Sequence, residues 1–220
     1  MFSLKPILFF AAKVLVFYLL LVGLFSWWGV SFTRTFNKIN TYVFEDFGSN
    51  GLVQFKVSNP KKTPFNIKMD IISKKMIAEV QRKAKHGDTS ATVKTVFYQF
   101  DVWLYAVLPI IVVMSFILAS PVPPLQMLKA LALGLLISQL IVFLKMGITI
   151  TDETYRQAWL QVNDSWWHTF FGNPSATAAL KDIFKFVGFS LIISVLIWVG
   201  VTFRPKDWKR FSRIFDQIDV

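Results

Sequence analysis

The stretch 116–129, FILASPVPPLQMLK, joins two long apolar runs with almost no polar spacer between them. Its prolines Pro121, Pro123 and Pro124 lack the backbone N–H that a helix interior uses, and each disfavours helical geometry at the residue before it. One helix should therefore end and the next begin within residues 120–124. Helices joined by so short a connection must reverse direction, so the stretch predicts a tight helical hairpin.

Four apolar runs are long enough to cross the roughly 30 Å hydrocarbon core of a bilayer as helices. These predicted spans lie at 7–28, 102–119, 125–148 and 183–203. The composition agrees with a membrane protein, because 54% of the 220 residues are hydrophobic and only 17% are charged, against about 25% charged in a soluble domain. Pro109 lies inside the second predicted span and is expected to kink it.

The first apolar run could be mistaken for a signal peptide, since Lys5 precedes it. It is too long for one, however, and no small-residue cleavage site follows. It ends instead in Trp27 and Trp28, which are typical of a membrane interface. We interpret it as a retained signal anchor. The predicted organisation is a signal-anchor helix (1–30), an extracytoplasmic insert (31–100), three transmembrane helices (101–203) with a proline hairpin (120–124) and an external loop (149–182), and a basic cytoplasmic tail (204–220).

The distribution of charge predicts the orientation in the membrane. The tail 204–220 is rich in lysine and arginine beside the last predicted span, and it carries Trp208 as an interface anchor. In the segment 149–182, by contrast, most of the charged residues are acidic. Because short cytoplasmic segments carry the excess of basic residues, the tail is expected inside and the segment 149–182 outside. Four spans then place both termini in the cytoplasm and the insert 31–100 outside.

The insert shows the alternating pattern of a small antiparallel sheet. Residues 53–58 and 65–71 alternate apolar and polar side chains, as half-buried strands do. The proline-containing link 59–64 predicts a hairpin loop between them. A third run, 89–97, is rich in β-branched residues and leads into the second predicted span.

Two stretches of the insert carry helical signals. Residues 76–85 fit either a strand or a short helix. Apolar residues within 32–47 fall on one helical face, which predicts an amphipathic helix continuing from the first span. The predicted fold class is a mainly α membrane protein with four transmembrane helices and a small β-rich extracytoplasmic insert between helices 1 and 2.

Few side chains in this sequence could carry catalysis. The absence of cysteine rules out a disulfide or thiolate site. His168 follows Trp166 and Trp167, and a tryptophan pair is typical of an interface anchor. The alternative is an acid–base site in which His168 works with a nearby carboxylate: Asp152, Glu153 or Asp164. We favour the anchor and predict no catalytic residue, cofactor or metal.

Three lysines, Lys13, Lys145 and Lys185, lie within predicted spans. An ionisable group there is a functional hypothesis, but all three lie near span ends, where a long side chain can reach water. They are therefore expected to snorkel. The candidate interaction residues of the chain are Trp166, Trp167, His168, Lys145, Pro109, Pro121, Pro123, Pro124 and Trp208.

Short phrases along the chain resemble the exosortase-associated membrane proteins of bacterial protein-sorting systems. They are WLYAVLP at 103–109, LASPVP at 118–123 and TFRPKDW at 202–208, within the same order of one span, a strand-rich insert and three further spans. The resemblance implies a non-enzymatic accessory protein of the bacterial inner membrane that associates with a larger membrane enzyme or export machine. It implies no catalytic residues, and the lack of cysteine excludes the exosortase's own Cys, Arg and His chemistry.

The expected partners are membrane lipids and another, exosortase-like integral membrane protein, and no nucleic acid is expected. The alternatives are a structural subunit of a multi-subunit membrane complex, a membrane-interface enzyme or a transporter component. A transporter needs a polar route through the membrane. Ser138 and Gln139 are the clearly polar central pair of the third predicted span, and hydrogen bonding between helices explains them.

Overall fold

The computed structural model describes residues 5–59, 63–86, 92–162 and 164–203. The predicted tail 204–220, with Trp208, lies outside the described residues. The described chain is mostly helical with one small antiparallel sheet. In chain order its helices and strands are α1 (Lys5–Phe44), β1 (Asp46–Phe47), β2 (Gly51–Asn59), β3 (Thr63–Ser73), α2 (Lys74–Lys85), β4 (Thr95–Asp101), α3 (Leu108–Ala119), α4 (Pro124–Arg156), α5 (Trp166–Phe170), α6 (Pro174–Lys185) and α7 (Val187–Thr202).

The chain divides into two compact units. One, called the helical unit here, consists of Met1–Ser26, Ala106–Leu140 and Gly188–Val220. The other, called the lobe, consists of Trp27–Tyr105 and Ile141–Val187. The lobe contains the whole sheet, and both long helices pass from one unit into the other along the chain.

Two helices of the described chain, α1 and α4, are long and apolar enough to cross a membrane, which is consistent with a membrane protein. With 40 and 33 residues, they are about 60 Å and 50 Å long, more than the roughly 30 Å hydrocarbon core requires. The predicted helical continuation through 32–47 is confirmed as far as Phe44, because α1 is unbroken. A third crossing is possible if α6 and α7 together form one broken span. The helical run Trp103–Ala119 is apolar but shorter than α1 and α4.

The proline hairpin is confirmed within the helical unit. Helix α3 ends at Ala119, and α4 begins at Pro124, whose missing N–H costs nothing at a first helical position. The two helices approach closely at Gly134, where an added Cβ would lie 3.0 Å from Val113 and 3.1 Å from Ile117. Helix α7 is tied to the joint, since Trp198 Nε1 donates to Ser120 Oγ at 2.8 Å.

Pro109 occupies a different position from the predicted mid-helix kink. A π-helical turn, Trp103–Val107, precedes α3, so Pro109 stands in the first turn of the α-helix. In the first turn the missing N–H of proline breaks no hydrogen bond within the α-helix, whereas in a helix interior it leaves one carbonyl without its donor. The carbonyl of Pro109 accepts a hydrogen bond from Ser194 Oγ at 3.3 Å.

The sheet of the lobe has the order β1-β2-β3-β4, and every neighbouring pair is antiparallel. The two alternating stretches are confirmed as paired strands, with Val53 opposite Ile71 and Phe55 opposite Met69, all four buried. The third strand, β4, begins at Thr95, later than the predicted run 89–97. The ambiguous stretch 76–85 is helical and forms most of α2.

The segment 149–182, predicted as a loop, is largely helical. Helix α4 continues to Arg156, and α5 and α6 follow. Polar side chains are accommodated on α4 because the hydroxyls of Thr149 and Thr151 donate to the helix's own carbonyls, those of Lys145 and Gly147. The fourth predicted span, 183–203, is broken at Phe186, which has extended backbone between α6 and α7.

Candidate functional site

His168 lies on α5 inside the lobe and is buried among groups from three elements. Its Nε2 is 2.9 Å from Thr154 Oγ1, and its Nδ1 is 2.6 Å from Ser165 Oγ. Two aromatic rings pack edge-on against the imidazole. The ring centroid of Phe47 lies 5.7 Å from that of His168, and the ring centroid of Tyr155 lies 5.0 Å from it. Both ring nitrogens are therefore engaged by hydroxyl groups and the ring carbons by aromatic ones.

The hydrogen bonds around His168 indicate its tautomer, and its burial favours the neutral ring. The Thr154 hydroxyl donates its one proton to the Thr151 carbonyl at 2.7 Å, so it must accept from Nε2–H. Burial lowers the pKa of His168, and the charge of Asp164 offsets this only partly. The ring is therefore neutral near pH 7, and Nδ1 accepts a hydrogen bond from the Ser165 hydroxyl.

This neutral histidine predicts a pH dependence for the stability of the lobe. Its folded pKa is lower than the ordinary 6.5 of the unfolded chain, so below that pH the unfolded chain binds more protons. Stability is then fully present above pH 6.5 and decreases as the pH falls. We expect the melting temperature in detergent to drop between about pH 7.5 and pH 5, and to drop less in His168→Gln. Equal slopes in both proteins would contradict this assignment.

The carboxylates considered as partners of His168 make other contacts. Asp152 and Glu153 both bind the ammonium of Lys181 on α6, at 2.7 Å and 2.5 Å, and Arg156 adds a contact to Asp152 at 2.9 Å. Lys181 Nζ also lies 5.4 Å from the centre of the Tyr98 ring. Sequence reasoning did not single out Lys181, because it lies far along the chain from both carboxylates.

The third carboxylate, Asp164, holds the turn between β1 and β2. It accepts hydrogen bonds from the Ser49 hydroxyl and from the Ser49 N–H at 3.1 Å. The hydroxyl bond is the main cause of a lowered pKa at Asp164. Gly48 has φ of 78°, and a Cβ there would collide with the Asp164 side chain. This turn therefore requires glycine for both conformation and space.

The two tryptophans predicted as interface anchors have different environments. Trp166 is exposed, as an anchor would be. Trp167 is buried, with its ring 5.9 Å from those of Phe44 and Phe171. Its indole also covers Gly147 of α4, where any side chain would collide with it. The anchor prediction is therefore wrong for Trp167, which is a core residue of the lobe.

Lys145 does not snorkel as predicted. Helix α4 extends three turns beyond it, and the side chain is only 7% exposed. Its Nζ lies 3.4 Å from the centre of the Tyr105 ring, and among the described residues none accepts a hydrogen bond from it. By contrast, Lys13 and Lys185 are exposed.

The second half of α1 presents an exposed apolar stripe, formed by Ile39, Tyr42 and Val43. Positions i, i+3 and i+4 share one face of a helix. Tyr42 is 89% exposed, which is unusual for an aromatic side chain. The neighbouring face of the same helical segment is buried in the lobe through Phe36, Asn40 and Phe44.

Comparison of this chain with family models, curated proteins and solved structures finds no match. Within the described ranges there is no group of three histidine, aspartate or glutamate side chains placed to hold a metal ion. Function is therefore inferred from the geometry of the chain itself.

Proposed function

We propose that this chain is a non-enzymatic accessory protein of the bacterial inner membrane, and that the apolar stripe Ile39, Tyr42 and Val43 binds a larger integral membrane partner. The observation that carries this proposal is the exposure of the stripe on the part of α1 that follows the predicted span 7–28. The exosortase-like partner is the one implied by the sequence resemblance.

Helix length supports placing the stripe outside the lipid. The 22 residues from Ile7 to Trp28 extend about 33 Å, which matches the hydrocarbon core. Trp27 and Trp28 are both exposed, as aromatic side chains at an interface are. Ile39 lies a further 11 residues along α1, about 16 Å away and beyond a headgroup layer of roughly 5–8 Å. Lipid tails cannot cover the stripe there.

The chemistry of the stripe favours a protein as its occupant. Aromatic and aliphatic side chains surrounded by polar ones are typical of the centre of a protein interface. Lys38, one turn before Tyr42 on α1, is exposed and would form a basic rim. The partner surface is therefore expected to be apolar with acidic residues at its edge.

The proposed topology has four crossings, by α1, the run Trp103–Ala119, α4 and α7, with the lobe outside and both termini in the cytoplasm. The two shorter runs have 17 and 16 residues, about 25 Å each, so the bilayer would thin slightly around them. An even number of crossings and the basic end of the sequence support this orientation.

Single-cysteine labelling tests the proposal without background, because the native chain has no cysteine. Tyr42→Cys in spheroplasts is expected to react with a membrane-impermeant maleimide, and overproduction of the partner should protect it. Arg34→Cys, on another face of α1, should stay reactive in both cases. Reaction of Tyr42→Cys only after permeabilisation would contradict the topology.

Charge substitution tests the interface itself. Tyr42→Asp is expected to reduce co-purification of the partner in mild detergent roughly tenfold or more, because it places a charge at the centre of the stripe. Arg34→Gln changes the net charge equally and should retain the partner. Equal recovery with both variants would reject the stripe as the binding surface.

A further inference from the structure

A groove of about 350 Å³ runs along the first half of α1 in the helical unit. Its lining consists of Phe9, Ala12, Lys13, Val16 and Phe17 of α1, with Leu118 of α3. All of these side chains except Lys13 are apolar. The groove is within the size range of ligand sites, which typically combine apolar walls with a few polar groups.

The direction of Lys13 gives the groove a polar end and an apolar end. Its Nζ lies 4.6 Å from the centre of the Phe9 ring, so the side chain points back one turn towards the start of α1. Val16 and Phe17 continue the groove in the other direction, deeper into the predicted span. The amine therefore lies on the headgroup side and the apolar wall on the hydrocarbon side.

The described part of the helical unit offers no counter-charge for this amine. Its described residues, 5–26, 106–140 and 188–203, contain no aspartate or glutamate. Nor does α1 contain a carboxylate anywhere along its length. A cation at the edge of the membrane core with no carboxylate among these described residues can attract an anionic lipid headgroup.

We infer that the groove binds one anionic phospholipid, with its phosphate at Lys13 and an acyl chain along Val16, Phe17 and Leu118. A phospholipid fits both ends of the groove. Its charged phosphate lies at the headgroup level, and its acyl chain extends from there into the hydrocarbon core. The site is independent of the stripe on the second half of α1.

Native mass spectrometry of the full chain in detergent tests this inference with two lipids of identical acyl chains, phosphatidylglycerol and phosphatidylcholine. The wild-type protein is expected to retain phosphatidylglycerol about 5-fold more than phosphatidylcholine, a typical preference for one basic residue near a membrane surface. Lys13→Gln should lose the preference, and Lys13→Arg should keep it. Lys129→Gln is the matched control, since it removes the same charge from the helical unit at an exposed position outside the groove.

A second variant tests the apolar wall. Ala12→Trp fills the groove but leaves Lys13 in place, so it should reduce retention of both lipids. Inorganic phosphate should not displace the lipid from the wild-type protein, because it lacks a chain. Equal retention of the two lipids by the wild type, the same loss in Lys129→Gln as in Lys13→Gln, or displacement by inorganic phosphate would each overturn the site.

Discussion

Replacing Lys181 with methionine is expected to destabilise the lobe by about 3–5 kcal/mol, although methionine has nearly the same length. The ammonium bridges two carboxylates, those of Asp152 and Glu153, at 2.7 Å and 2.5 Å. Asp152 is only 2% exposed, so water cannot replace the lost cation. The variant leaves two neighbouring negative charges without their shared partner, and this accounts for the size of the effect.

Urea unfolding in detergent, followed by tryptophan fluorescence, measures this loss against two controls. Arg156→Gln also removes a cation from Asp152, but Arg156 is 54% exposed, so the loss should stay below about 1 kcal/mol. The triple variant Lys181→Met, Asp152→Asn, Glu153→Gln should be more stable than Lys181→Met alone, because it leaves no buried carboxylate without a cation. If Lys181→Met were no worse than Arg156→Gln, the buried network would not stabilise the lobe.

Some features of the fold could be predicted because their signals are local. Pro121, Pro123 and Pro124 interrupt a helix by their own covalent structure, whatever packs around them. The alternation in 53–58 and 65–71 follows directly from the two-residue repeat of a strand with one buried face. The hairpin and the pair β2 and β3 therefore follow from the sequence alone.

The true end of α4 could not be predicted in this way. A hydropathy pattern counts Thr149, Thr151 and Thr154 as polar and so ends the helix near residue 148. In the structure each hydroxyl donates to a carbonyl of its own helix, so these residues are accommodated without water. The same error placed Lys145 near a helix end and led to the wrong prediction that it snorkels.

The contacts of the candidate site depend on tertiary structure and have no local signal. Lys181 meets Asp152 and Glu153 from a different helix, and no spacing rule connects them. Trp166 and Trp167 are adjacent and chemically identical, but on a helix they point about 100° apart, so one is exposed and the other buried. Which of two such neighbours enters the core is decided by packing against Phe44 and Gly147.

Phe44→Ala is expected to cost about 3–5 kcal/mol of lobe stability, because the ring is fully buried where four elements meet. Its centroid lies 6.2 Å from that of Phe55 on β2, 6.5 Å from Phe143 on α4 and 5.9 Å from Trp167 on α5. As the last residue of α1, Phe44 joins that helix to the sheet. Its loss would leave a cavity that none of these rings can fill alone.

The control for Phe44→Ala lies two residues away on the same helix. Tyr42→Ala removes an aromatic side chain of similar size from an exposed position, so it should change the unfolding free energy by no more than about 0.5 kcal/mol. Phe44→Leu should fall between the two variants, since it leaves a smaller cavity. Urea unfolding followed by fluorescence, to which Trp167 contributes, measures all three. Equal stabilities for the two alanine variants would show that the aromatic cluster is not the core of the lobe. If instead substitution of Phe44 lowers only stability and substitution of Tyr42 lowers only partner binding, the two residues lie on separate faces of α1, one for folding and one for docking.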